Sequence, residues 1–445
     1  MLPGQQDMDR PVGSASVTWL SACLQHGIQV PTCNTNHDLA SLPRPIEICS
    51  TRFLNASHRG QEAITVIIMT AFFPMQPMGR FSGPSQPVKR PKEFACFSYD
   101  ENHEFRLDDS SIKYYYTPKI GADLSRGFNT FQKLDDSGDE HLDSLLKAII
   151  AHEKETGKKI DAHVVTWRGM MTKIMAALFE QQDGFEMNAT LYQDCLFIEE
   201  NNEFKVQSRL NESRRGPRRG PPLEMMQYWG YKFETLSTLP QTWHETSREY
   251  IENRENQVVN NKEQYCSVVR TGIGSTILCL GGEVDAIWDI KPPPGEPINW
   301  VELKTSLEIR TPGDLENFHR KLMKFWIQSF LLGVPKIIVG FRTRDGILVD
   351  VQEIETRNIP QTVNARQPAR WNADMCVNFA GEFLHWLRSV INDEGVWRIR
   401  RRAASHGIEV FKVEETGHGD ILSDEFKNWR IKLALGPCPT EAATS

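Results

Sequence analysis

No Cys-x-x-Cys pair and no histidine pair at zinc-ligand spacing occurs in the 445 residues, which argues against a structural zinc site. The nine cysteines, at 23, 33, 49, 96, 195, 266, 279, 376 and 438, are odd in number and irregularly spaced. A disulfide framework is therefore not expected, and a reducing compartment is. Long apolar runs are also missing. Ala63–Phe73 falls short of the roughly 18 residues a membrane span needs, and Met1–Arg10 lacks the basic-then-apolar pattern of a signal peptide. The chain reads as soluble and intracellular, with no membrane partner. Positive charge is in deficit: the net charge is −7 and the pI about 6.0. That excludes a protein that coats nucleic acid through a global positive field, although a local basic groove remains open. No internal repeat is evident.

What is present supports a sizeable core, with 40% hydrophobic residues in a chain long enough for one large domain or two ordinary ones. Residues 1–80 mix Pro, Gly, Ser, Asn and His without a period, and Pro74–Pro91 has a linker's composition. They are expected to be an extension ahead of a domain over 81–433, with a tail at 434–445. Within the domain a strand is expected at Glu93–Ser98 and a helix at Glu140–Thr156, stopped by Gly157. A strand at Ala162–Trp167 should lead into a helix from Gly169 to Phe179, and further strands are expected at Met187–Glu199 and Glu203–Leu210. Arg214–Arg219 lies in a polar loop, more often a solvated surface than a nucleic-acid contact. A helix is expected from Leu223 to Trp229, then strands over Gln264–Thr271, Ser275–Asp289 and Ile298–Thr305. Thr311-Pro312 is a helix entry and Gly333 with Pro335 an exit. Lys336–Arg342 and Ile347–Val351 around Asp345-Gly346 form a hairpin signal. A helix near Asp374–Ile391 and a strand pair near Trp397–Val413 follow. The fold class is one mixed α/β domain with a largely antiparallel central sheet and flanking helices.

The chemistry concentrates in Gly281-Gly-Glu-Val-Asp285 and Val301-Glu-Leu-Lys304. Side chains two apart on a strand share a face, so Glu283 pairs with Asp285 and Glu302 with Lys304, each against apolar residues on the other face. If the two strands are neighbours, three carboxylates and an ammonium meet. Carboxylates so close cannot all ionise without a cation, and an all-oxygen cluster suits magnesium or manganese. A half-exposed strand also alternates in this way, but two such pairs with strongly apolar partners favour a site.

The spacing Asp285 … Glu302-x-Lys304 matches the PD-(D/E)xK nuclease pattern. With Thr166-Trp-Arg-Gly169, Gly230-Tyr-Lys-Phe-Glu234, Tyr265-Cys-Ser-Val268, Gly282-Glu-Val-Asp285, Val301-Glu-Leu-Lys-Thr-Ser306 and Lys324-Phe-Trp-Ile-Gln-Ser-Phe330 in order, the chain resembles the DXO and Rai decapping nucleases over about residues 81–433. Tyr114-Tyr-Tyr and Val396–Trp429 look closer to the fungal Rai branch.

The resemblance implies a PD-(D/E)xK core and about two divalent ions held by Glu234, Glu283, Asp285, Glu302 and the Leu303 carbonyl. It implies catalytic roles for Glu234, Asp285, Glu302, Lys304 and Gln328, and substrate contacts from Glu140, Trp167, Arg168, Gly169, Cys266, Glu283, Lys304 and Gln328. Plainer readings stand beside these: Glu234 as a surface glutamate, Gln328 as a helix-surface amide, Trp167 as core and Cys266 as a buried thiol. Asp100-Glu-Asn-His103 departs from the family, whose members carry an arginine there. The implied activity is hydrolysis at RNA 5′ ends, removing a cap, an NAD cap or pyrophosphate from an unpaired strand. The implied partner is a nuclear 5′-3′ exoribonuclease of the Rat or Xrn type, in the nucleus. A non-catalytic stabiliser of that exoribonuclease is the alternative.

Overall fold

Alternating apolar segments pair into two sheets that meet at the charged motif. The computed structural model describes residues 69–436, apart from 215–219, 294 and 366–368. The larger sheet runs β1 (Thr70–Pro74), β16 (Gly407–Glu414), β15 (Val396–Arg401), β6 (Phe185–Tyr192), β7 (Cys195–Glu200), β5 (Val164–Trp167), β10 (Thr276–Glu283), β9 (Gln264–Ile273), β2 (Val88–Tyr99) and β3 (Phe105–Arg106). The smaller runs β14 (Leu348–Glu355), β13 (Lys336–Arg342), β12 (Trp300–Leu307), β11 (Ala286–Ile287), β4 (Tyr114–Tyr115) and β8 (Thr238–Leu239). Most neighbours are antiparallel, but β5 runs parallel to β7 and β10, β12 to β13, and β11 to β4. Parallel neighbours need a crossover, and helices supply it.

The longer helices are α1 (Asp143–Thr156), α2 (Arg168–Ala176), α3 (Asn202–Arg214), α4 (Leu223–Leu236), α5 (Pro312–Leu332), α6 (Ala373–Val390) and α7 (Asp424–Leu435). In α1 the buried side chains Leu145, Leu146, Ile149 and Ile150 recur at helical spacing, and Gly157 ends the helix at φ 65°. The crossover α5 begins with a capping box, Thr311 and Asp314 bonding each other's backbone N–H groups, has Pro312 in its first turn, and ends at Gly333 with φ 75°. Helices α2, α5 and α6 cover one face of the larger sheet, with core residues such as Met171, Ile327 and Phe383. On the other face α1 and α7 bury Leu145, Phe197 and Phe426. Helix α4 packs Trp229 and Phe233 on Val301, Leu303 and Ile338 of the smaller sheet.

Four sequence expectations change. Residues 69–80, placed in the extension, carry β1, which pairs with β16. Phe73 there is 4% exposed and packs its ring on Phe379, Phe383 and Trp386. Glu203–Leu210 is helical, within α3, because its alternating apolar residues find no surface to cover: Val206 and Leu210 stay 40% and 46% exposed. With no core to pay for extension, strong helix formers decide the conformation. Met187–Glu199 is a hairpin, β6 and β7, turning at Gln193 and Asp194 with φ 48° and 62°. The single strand expected over Ser275–Asp289 is two strands, because the chain leaves the larger sheet after Glu283 and enters the smaller at Ala286. Residues 1–68, 215–219 of the arginine-rich loop and 437–445 of the tail lie outside the described residues. Among the described residues no helix is long and apolar enough to cross a membrane, and Cys96, Cys195, Cys266, Cys279 and Cys376 are free thiols.

Candidate active site

The passage between sheets places the site. Glu283 ends β10, paired with Cys266 of β9. Two residues later Ala286 pairs with Val301 of β12, so β11 and β12 are neighbours, as the motif required. Asp285 lies between, and its Oδ2 accepts the Leu303 backbone N–H at 2.6 Å, fixing the crossing chain to β12. Gly281 and Gly282 have no room for side chains. A Cβ on Gly281 would lie 2.9 Å from the Trp167 ring, and one on Gly282 2.9 Å from Leu332 and 3.0 Å from Arg168.

Glu302 is fully buried between two cations. Its Oε2 accepts from Arg168 Nη1 at 3.1 Å and its Oε1 from Lys304 Nζ at 2.5 Å. Burial works against its charge, but Lys304 and Arg168 overcome that and hold the carboxyl below its usual range. The other three carboxylates are pushed the opposite way. Burial, then Asp285 and Glu283, raise Glu234 far above its ordinary value. Burial raises Glu283 against the pull of Arg168. Burial and then Glu302 lift Asp285 to about 7. Burial alone would lower Arg168 and Lys304, yet the surrounding carboxylates raise both. Four acids against two bases leave the site short of positive charge.

The donors fit a hard divalent cation in kind: carboxylate oxygens, crowded, half-buried or buried, and under-neutralised. Their side chains are not closed around one point. Among the described residues no three Asp, Glu, His or Cys groups converge at metal-binding spacing, because both Glu302 oxygens face cations and one Asp285 oxygen faces Leu303. Glu234, Glu283 and Asp285 line one cleft, with an empty volume of about 500 Å³, together with Lys113, Tyr231, Asn260, Asn261, Glu263 and Gln264.

These features decide the fold family together with one match: a family model described as RAI1 like PD-(D/E)XK nuclease fits residues 89–427. The chain belongs to that family. It is 76% identical over 372 residues to a protein of Gibberella zeae named Decapping nuclease RAI1, spanning 83% of this chain and 99% of that one. A Neurospora crassa protein of the same name is 64% identical over 393 residues, spanning 87% of this chain and 94% of that one. Candida albicans Rai1, solved in complex with pU5-Mn2+, superposes with TM-score 0.76 at 32% identity, covering 82% of this chain and 100% of that chain. Scheffersomyces stipitis Rai1, solved with (3′-NADP)+ and a calcium ion, gives TM-score 0.73 at 30% identity, covering 78% and 98%. The fungal Rai branch is thereby supported.

In this RAI1-like nuclease the expected residues fall around the crossing to different degrees. Arg168 opens α2 directly after β5, with its guanidinium on Glu302 and Gly169 exposed beside it. Trp167 is half-buried against Phe97 and Gly281. Gln328 is half-buried on α5 one turn before Leu332, the residue that touches Gly282. Cys266 is buried, its thiol pushed up by burial and then by Glu283, with Arg168 and Glu140 also within electrostatic reach. Glu140 is exposed at 63%. Glu234 sits on α4, which continues past Trp229 to Leu236, so it is a half-buried helix residue of the cleft rather than the end of a surface run.

Sequence reasoning missed Lys113, Tyr231 and Glu263. Lys113 pairs with Glu263 at 3.1 Å and pulls on both Glu234 and Glu283. It is brought in by β4 pairing with β11, a long-range contact without a local pattern. Tyr231 had a signal: it lies three residues before Glu234, on the same helical face.

Proposed function

We propose that this enzyme hydrolyses RNA 5′ ends in a divalent-metal-dependent reaction, removing a cap, an NAD cap or pyrophosphate and leaving a 5′-monophosphate. The observation that carries the reading is Glu302 clamped between Arg168 and Lys304 beside three further carboxylates that are short of positive charge. The relatives solved with pU5-Mn2+ and with (3′-NADP)+ and calcium add support from the same family.

Glu234, Glu283, Asp285, Glu302 and the Leu303 carbonyl would hold the metal, magnesium or manganese. When bound, the cation supplies an activated water and charge stabilisation for displacement at phosphorus. The protein's own groups do the rest. Arg168 presents a planar fork that suits two phosphoryl oxygens at once. Lys304, kept charged by its carboxylate neighbours, would neutralise charge developing on the phosphorus oxygens. Gln328, on the helix face that reaches Gly282, would orient the phosphate through its amide. The half-buried cleft suits an unpaired strand.

The product would feed a nuclear 5′-3′ exoribonuclease of the Rat or Xrn type, with this protein as its partner in the nucleus. That part rests on the family resemblance. The test is conversion of 5′-triphosphate RNA to 5′-monophosphate RNA by the purified protein with manganese. Activity should vanish in EDTA and return with magnesium or manganese. Full turnover in a rigorously metal-free preparation would sink the reading.

A further inference from the structure

A row of aromatic rings leaves the site along one face of the larger sheet. Cross-strand partners share a face, and the pairs Gly281 with Trp167, Glu283 with Cys266, and Cys266 with Phe97 put Glu283, Cys266, Trp167 and Phe97 on the same side. Tyr99, two residues beyond Phe97, continues the row. Ring centroids lie 6.2 Å apart for Trp167 and Phe97, 5.7 Å for Phe97 and Tyr99, and 4.0 Å for Tyr99 and His103, the last pair stacked at 16°.

The end of the row is built to stay in place. Tyr99 Oη bonds Ser144 Oγ at 2.5 Å. His103 holds φ 70°, a conformation rare for a residue with a side chain. The Asp100 carboxylate enforces it by accepting the backbone N–H groups of Asn102 and Glu104 and the Arg106 guanidinium. A second clamp comes from His103 Nδ1, 2.8 Å from the Lys262 carbonyl; a carbonyl only accepts, so Nδ1 carries the proton. Asn260, which lines the cleft, bonds the Glu101 carbonyl and ties this loop to the rim.

The surroundings say what the platform would take. His103 Nε2 stands 3.9 Å from the Glu140 carboxylate, and Asp143 also acts on Tyr99. Lys147 is the nearby cation, and it lies over the Phe105 ring. Such a wall repels a phosphate backbone. It suits a neutral or cationic planar base, with a carboxylate available to ribose hydroxyls.

We propose that the outer face of His103, backed by Tyr99, stacks on the base of the outermost nucleoside of a capped 5′ end, with Glu140 accepting from its ribose. This deepens the reading as a 5′-end hydrolase and rests on it. His103 and Tyr99 would then set the preference for capped over triphosphate ends, while the acids and bases around Glu302 serve both.

The test is steady-state hydrolysis by the full-length protein with manganese, on one RNA bearing either an unmethylated guanosine cap or a 5′-triphosphate. His103→Asn keeps a residue that tolerates positive φ and removes the ring. The ratio of kcat/KM for capped over triphosphate RNA should fall about tenfold, the size of one lost base stack, through KM. His103→Tyr, which returns a ring, should restore the ratio to within about twofold. A ratio unchanged in His103→Asn, no recovery in His103→Tyr, or a wild-type enzyme that accepts triphosphate but not capped RNA would each overturn the stacking proposal. A wild-type enzyme inactive on both substrates would instead overturn the hydrolase reading.

Discussion

Replacing Asp285 by Asn should stabilise the metal-free protein while abolishing hydrolysis. Asp285 is lifted from its ordinary 3.8 to about 7, by burial first and then by Glu302 and Glu283. In the unfolded chain it ionises at its ordinary value. Between about pH 4 and pH 7 the native state therefore holds a proton that the unfolded state has lost, and native stability falls as pH rises through that window. At 1.36 kcal/mol per tenfold change, the full rise corresponds to about 4 kcal/mol by pH 8. Glu234 and Glu283 share the same repulsion, so each relaxes when another is neutralised, and a gain of about 1–3 kcal/mol is expected. The amide keeps an oxygen to accept the Leu303 N–H, so the crossing chain stays fixed. Urea unfolding in excess chelator at pH 8 measures the gain, which should shrink as pH falls from 7 towards 4. A variant no more stable than the parent at pH 8 would show that the carboxylates do not strain the metal-free site.

Three further outcomes follow from the same geometry. Phe73→Ala removes a ring buried among Phe379, Phe383 and Trp386 and should cost about 3–5 kcal/mol; an unchanged urea midpoint would put β1 outside the cooperative fold. Arg168→Lys keeps the charge but not the fork, and turnover should drop about 10- to 100-fold, as for loss of a charged hydrogen bond; single-turnover rates equal to the parent's would remove Arg168 from the reaction. An RNA whose 5′ end is recessed in a blunt hairpin should be processed at least about tenfold more slowly than one with several unpaired 5′ nucleotides, and equal rates would contradict a cleft that admits only a single strand.

Much of this architecture was legible because it rests on local rules. The α5 entry at Thr311-Pro312, its exit at Gly333 and the β13–β14 hairpin are set by capping and turn chemistry within a few residues. Glu283, Asp285, Glu302 and Lys304 were legible as charges spaced two apart in apolar company. The alternation even survives the change of sheet, since Val284 and Ala286 are both buried. The change itself was not legible, because nothing in Glu283–Ala286 says which neighbour each residue will pair with. Glu203–Leu210 misled for the opposite reason: its period of two is real, but the surface that would reward it is absent. Residues 69–80 look like a linker by composition, and only Phe73 and Met75, both 4% exposed, reveal that they seal one end of the core. Lys113 reaches the cleft through a strand pairing some 170 residues apart in sequence, which no motif encodes.

The reactive groups are divided along a seam. Glu283 and Arg168 belong to the larger sheet and its helix, whereas Glu302 and Lys304 belong to the smaller sheet, and the Asp285 bond to Leu303 is the stitch between them. The distance between the two halves is thus controlled from behind, by how α4 seats Phe233 under β12 and β13. Gly340 records how tight that seat is, since a Cβ there would lie 2.4 Å from the Phe233 ring. An enzyme assembled this way can be detuned by a change in hydrophobic volume far from any charged atom. Conversely, activity serves as a gauge of registry between two sheets whose separate stabilities would hardly register the shift.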